Sequence, residues 1–154
     1  MRWLRNKSVV GTALASALFL CALIPRAAAV EPTVEELKAR VASTDVRDRP
    51  RLCVQIAERQ LNDIDKLYAA SDNEKAQAAL IDVVAYSELA RDYSIQSHKY
   101  QKQAEIAVRG MTRKLKDMMH SLPHAEQAPL HQAIDRLERV RDDLLMAMFP
   151  KGMK

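Results

Sequence analysis

His120, His124 and His131 lie close together late in the chain, with Met118 and Met119 just ahead of them. Imidazole and thioether groups in that company suit copper in an oxidising compartment. The spacing matches no established ligand pattern, and Pro123 separates the first two histidines. The three are therefore weighed as metal ligands against the plainer reading of polar loop side chains. C-x-x-C-H for haem attachment and H-E-x-x-H for zinc are both absent, and no cofactor is expected.

Acid–base or nucleophilic catalysis would need a nucleophile beside a base, or two carboxylates in one pocket. Asp82, four residues before Tyr86, is the acid whose burial matters most, and a border position between core and solvent explains it equally well. Only three glycines occur, Gly11, Gly110 and Gly152. Phosphate loops, dinucleotide fingerprints and nucleophile elbows need more of them. No catalytic residue is assigned, and the chain reads as a non-enzymatic protein acting through a protein-interaction surface, as an assembly, scaffold or chaperone-like component, with a metal- or small-ligand-binding bundle as the alternative.

Two surfaces could do that binding. Tyr86, Tyr93 and Tyr100 are spaced seven apart beside the small residues Ala90, Ser94, Ser97 and Ala104. Tyrosines so placed can form a recognition strip, or they can pack on a neighbouring helix with their hydroxyls in water. The second surface is basic. Lys99, Lys102, Arg109, Arg113, Lys114 and Lys116, with His98, face only Glu105 and Asp117 in their own stretch. Such a patch can hold an anionic envelope surface or an acidic partner. It can equally pair internally with Asp135, Glu138, Asp142 and Asp143 near the C-terminus.

The start of the chain bears on both. Arg2, Arg5 and Lys7 precede an uncharged run from Ser8 to Ile24, closed by Pro25 and by Ala27-Ala28-Ala29. A basic start, an apolar middle and small residues at Ala27 and Ala29 describe a signal peptide over residues 1–29. An uncleaved anchor is the alternative, at the short edge of a membrane span. The chain is expected to be exported, periplasmic or secreted, most naturally in a bacterial envelope. The chain carries 24 basic and 20 acidic residues, and Arg2, Arg5, Lys7 and Arg26 lie in the leader. The remainder holds twenty of each, so the basic pI belongs to the leader and argues against nucleic-acid binding. Cys53 is the one cysteine beyond the leader, expected to be buried rather than paired.

The elements that must position these groups are all helical. Thr33 to Glu36 has capping-box spacing for a short helix to about Ala42, sparse in apolar residues and expected to dock loosely. Residues 30–49 therefore form a short helix and linker ahead of a bundle over 50–149, with 150–154 a frayed tail. Val54, Ala57, Leu61, Ile64 and Tyr68 line one face of a helix capped at Asp48 and ending near Ala70. From Ala76 through Leu80, Val83, Ser87, Ala90, Ser94, Ser97, Gln101, Ala104, Val108, Met111 and Leu115 to Met118, a four-three alternation persists without proline. It predicts one helix over 73–120, roughly 72 Å long. Residues 121–128 read as a loop. A last helix from Pro129 carries Ile134, Leu137, Leu144 and Met148 on its apolar face.

The expected fold is all-α: an elongated antiparallel bundle in which the long helix is shared by two flanking helices of about 32 Å each. A bend near Ser94–Ser97 would instead give a compact four-helix bundle. In the elongated form a two-helix layer leaves apolar surface open, which favours a protein partner or a homodimer.

Overall fold

A computed structural model describes residues 31–150. The leader, its Ala27 and Ala29, and the tail beyond residue 150 lie outside the described residues. Among those described there are five helices and no strand: α1 (Val34–Ser43), α2 (Arg49–Ala69), α3 (Asn73–Ser97), α4 (Gln101–Ser121) and α5 (His124–Met148).

Local chemistry sets the ends. Thr33 accepts a hydrogen bond from the Glu36 backbone while the Glu36 carboxylate accepts from the Thr33 N–H, the capping box its spacing predicts. Asp48 stands at the head of α2 without a side-chain cap, and Pro50 occupies the first turn, where no donor is lost. The α2–α3 link closes as a Schellman motif. Asp72 N–H donates to the Leu67 carbonyl and Ser71 N–H to that of Tyr68, with Ser71 left-handed at φ 58°. Asp72 then caps α3 by accepting from Lys75 N–H.

The single helix over 73–120 is not what forms. The chain reverses at His98–Lys99–Tyr100, where His98 (φ 53°) and Tyr100 (φ 65°) both adopt the left-handed conformation. Ser97 helps close the end: its hydroxyl donates to the Tyr93 carbonyl and accepts from Lys99 N–H. The three-residue reversal lies between Ser97 and Gln101, which are themselves consecutive positions of the heptad, so the apolar stripe keeps its phase across the turn. Periodicity says which face of a helix is apolar, not which way the axis runs. Two left-handed non-glycine residues cost on the order of 1–2 kcal/mol each. A single fully buried aliphatic side chain recovers about that much.

What the reversal provides is a closed core. α2 and α3 are antiparallel, as are α4 and α5, while α3 runs parallel to α5 and α2 parallel to α4. Contacts along the bundle fix these directions. Asn73 bonds Glu126, Glu88 bonds Arg136 and Arg91 bonds Asp143 down the α3–α5 side. Lys114 reaches Asn62 and Asp65 on the α2–α4 side. Around the bundle the order is α2, α3, α5, α4, with α3 touching α4 across the middle and no α2–α5 contact. Along the chain the four helices alternate in direction through short links and close a compact four-helix bundle. Apart from Ser97 and Gln101, beside the turn, every heptad position from Ala76 to Met118 is buried. Ala90, Ser94 and Ala104 are fully covered near the reversal, where small side chains let α3 and α4 come together. Ser94 pays for that position with a buried hydroxyl that has no partner among the described residues.

Two further expectations change. Residues 124–128 are not loop, because α5 begins at His124 and carries Pro129 inside it, forgoing the bond to the Ala125 carbonyl. The short helix does not dock loosely: Leu37 and Val41 are buried in the common core. Gly110, inside α4, faces open space, with nothing within 4 Å of where its Cβ would stand. The two-helix layer, and with it the argument from open layer to second copy, is also gone.

Candidate functional site

The tyrosine strip meets the chain's own N-terminal elements. Tyr86, Tyr93 and Tyr100 are half-buried and pack against the core. The Lys38 ammonium lies 5.9 Å from the Tyr86 ring centre, and the Arg49 guanidinium 5.2 Å from that of Tyr93. Arg49 in turn donates to the Thr44 and Ala42 carbonyls at the end of α1. Most of the strip is thus roofed by α1 and the start of α2.

Asp82 ties that roof down. Its carboxylate accepts from Lys38 Nζ and from Gln60 Nε2, each at 2.7 Å, joining α1, α2 and α3. The hydrogen bond to Asp82 raises the Lys38 pKa above the ordinary lysine value, so the ammonium stays charged at neutral pH. Asp82 has no nucleophile or second acid hydrogen-bonded to it among the described residues; the two bonds it accepts join three helices. The first described residues are held by Arg59, which donates to the Pro32 carbonyl and pairs with Glu31.

The histidines do not converge. His120 ends α4, His124 begins α5 and His131 lies two turns further on, all three exposed. Met118 is turned into the core. Among the described residues no group of three or more His, Cys, Asp or Glu is arranged to hold a metal ion. Separate helical positions flanking Leu122–Pro123 keep the imidazoles from meeting. Cys53 is fully buried, and desolvation pushes its thiol up to about 12.

The basic stretch divides by helix face. Lys114 turns to α2 and meets Asp65 at 3.3 Å. Lys116 meets Glu138 of α5 at 2.6 Å, one of the internal pairs foreseen. Asp143, also expected to serve α4, is instead taken by Arg91 of α3. Lys99 and Lys102 lie at the reversal, exposed. Arg109, Arg113 and Lys116 share a cleft of about 210 Å³ with Thr112, Glu138 and Arg141. Two of these groups meet Glu105, a carboxylate only 8% exposed, which accepts from Arg141 Nε at 2.9 Å and has Arg109 Nε at 3.7 Å.

Sequence reasoning missed the roles of Glu105 and Arg141. Glu105 follows the heptad residue Ala104 and precedes Arg109 by one turn, which hinted at burial with a local partner. Arg141 could not be assigned while α5 was searched for acids alone.

A second cleft, of about 250 Å³, opens between α3 and α5. Leu80, Ile81, Val84, Pro129 and Ala133 line it, with Gln77 and Gln132 as neutral neighbours, and Ile81 at its rim is 66% exposed. Arg136, also at its edge, is bonded by two of its nitrogens to Glu88. No helix among the described residues is long and apolar enough to cross a membrane. Comparison with family models, with curated proteins and with solved structures found no match.

Proposed function

We propose that this chain is an exported binding protein, not a catalyst, and that its α3–α5 face docks on another protein surface, in the first place a second copy of itself. The observation that carries the reading is Ile81, a large aliphatic side chain left two-thirds exposed beside an apolar cleft on the same face. A projecting group next to a recess is self-complementary under a two-fold axis: each copy's Ile81 can enter the other's cleft. Charge does not oppose the meeting, because the amides of Gln77 and Gln132 are neutral and Arg136 is already paired with Glu88. The face is also large enough. α3 is 25 residues long, about 37 Å, and two adjacent helices of that length offer roughly the 800 Å² per partner of a standard interface. Export is supported by the basic, apolar and small-residue sequence of residues 1–29, and the compartment proposed is the periplasm of a bacterial envelope or the exterior.

Light scattering over a concentration series tests the reading. The protein should show a dimer, and Ile81→Lys should weaken it by about tenfold or more, as expected for losing a central apolar contact. A monomer at the highest concentrations, with no cross-linking through α3, would end the self-association proposal.

A further inference from the structure

We infer that the cleft between α4 and α5 is a binding site for a phosphate-class oxyanion, a phosphomonoester or inorganic phosphate. Four cations converge there: Arg109, Arg113 and Lys116 from α4, and Arg141 from α5. The carboxylates against them are Glu138, engaged by Lys116, and the buried Glu105. Two positive charges are left over.

The arrangement of the guanidinium groups is what distinguishes this from a solvated basic face. Glu105 is nearest to Arg141 and Arg109 through their Nε atoms. Among the described residues neither arginine donates a hydrogen bond from its terminal nitrogens. The buried carboxylate therefore orients the Arg141 guanidinium by a hydrogen bond and holds that of Arg109 by an ion pair, while their terminal N–H groups remain for a ligand. Paired N–H donors match the edges of a tetrahedral oxyanion, a geometry that lysine cannot reproduce. Arg113 adds a third guanidinium, exposed and with no carboxylate within 4 Å among the described residues. At about 210 Å³ the space falls below that of a typical drug-sized site and suits a small anionic group. Glu105 is then a positioning residue, and the arginines are the binding groups. The site lies on a different side of α5 from the cleft proposed for docking, and does not depend on that reading.

The test is a titration of inorganic phosphate into the purified protein, followed by NMR of backbone amides and arginine Nε–H groups, with sodium chloride at matched ionic strength as control. Saturable shifts confined to α4 and α5 are expected, and Arg113→Ala should weaken binding by about tenfold, the loss of one charge-assisted contact. Arg113 makes no hydrogen bond or ion pair through its side chain among the described residues, so this variant keeps the bundle intact. Arg141→Ala should weaken binding further, with circular dichroism confirming the helices. Co-sedimentation with phosphatidic acid vesicles, against phosphatidylcholine vesicles, identifies the source. Pelleting that phosphate competes away assigns the site to a lipid headgroup. Phosphate saturation without pelleting assigns it to a soluble phosphorylated molecule. Shifts that never saturate, that sodium chloride reproduces, or that Arg113→Ala leaves unchanged would overturn the inference.

Discussion

Replacing His98 by glycine tests the reversal on which the bundle depends. His98 sits at φ 53° with its side chain exposed and without a hydrogen bond among the described residues. Glycine there relieves the left-handed cost of an L-residue, on the order of 1–2 kcal/mol, and incurs about 0.5–1 kcal/mol of extra chain entropy. Histidine tolerates this conformation better than most residues, so a net gain of about 0.5 kcal/mol is expected. His98→Ala should act oppositely, losing a few tenths of a kcal/mol, because alanine has neither glycine's freedom nor a polar side chain to bond locally. A continuous helix through residue 98 would reverse both signs: glycine would cost about 0.5 kcal/mol relative to histidine, and alanine would gain about as much. Urea unfolding of the three proteins, monitored by circular dichroism, gives both differences from midpoints at constant slope. Destabilisation by glycine together with stabilisation by alanine would refute the turn.

Two other outcomes follow from positions already described. Gly110→Ala should raise stability by about 1 kcal/mol, measured by the same urea curves, since the added methyl meets open space and the helix loses a flexible residue. Cys53 should stay inert to thiol reagents in the folded protein at neutral pH. Its folded pKa, about 12 and so above the unfolded value, leaves almost no thiolate, and labelling should appear only as urea unfolds the chain. Rapid labelling under native conditions would mean that α1 and α2 open far more readily than their packing implies.

Much of the helical content could be read before any coordinates. The capping box at Thr33–Glu36, the proline early in α2, and the alternation from Ala76 to Met118 each act through neighbours within one or two turns. They report on local structure directly, and apart from Ser97 and Gln101 the heptad positions they marked are buried. Proline129 was misleading for the same reason: it ordinarily limits a helix, yet here α5 continues through it from His124. The candidate sites were less legible. A list of cations on α4 could not say that Lys114 faces α2 and Arg113 faces a cleft, because that depends on which helix lies alongside. Nor could tyrosines spaced by seven reveal that Lys38 and Arg49, from remote parts of the chain, would cover them.

The sequence by itself determined an all-helical chain with a defined apolar stripe. Only tertiary structure decided that the stripe doubles back at His98–Tyr100. No glycine, proline or asparagine marks the turn, and Ser94, Ser97 and Gln101 register it merely as a run of non-apolar heptad positions. The reversal exists because two strained residues cost less than the apolar surface that a straight helix, with a single neighbour at each level, would leave in water. The same packing choice brings Arg141 over Glu105, so the oxyanion cleft is a product of the fold rather than of any contiguous motif.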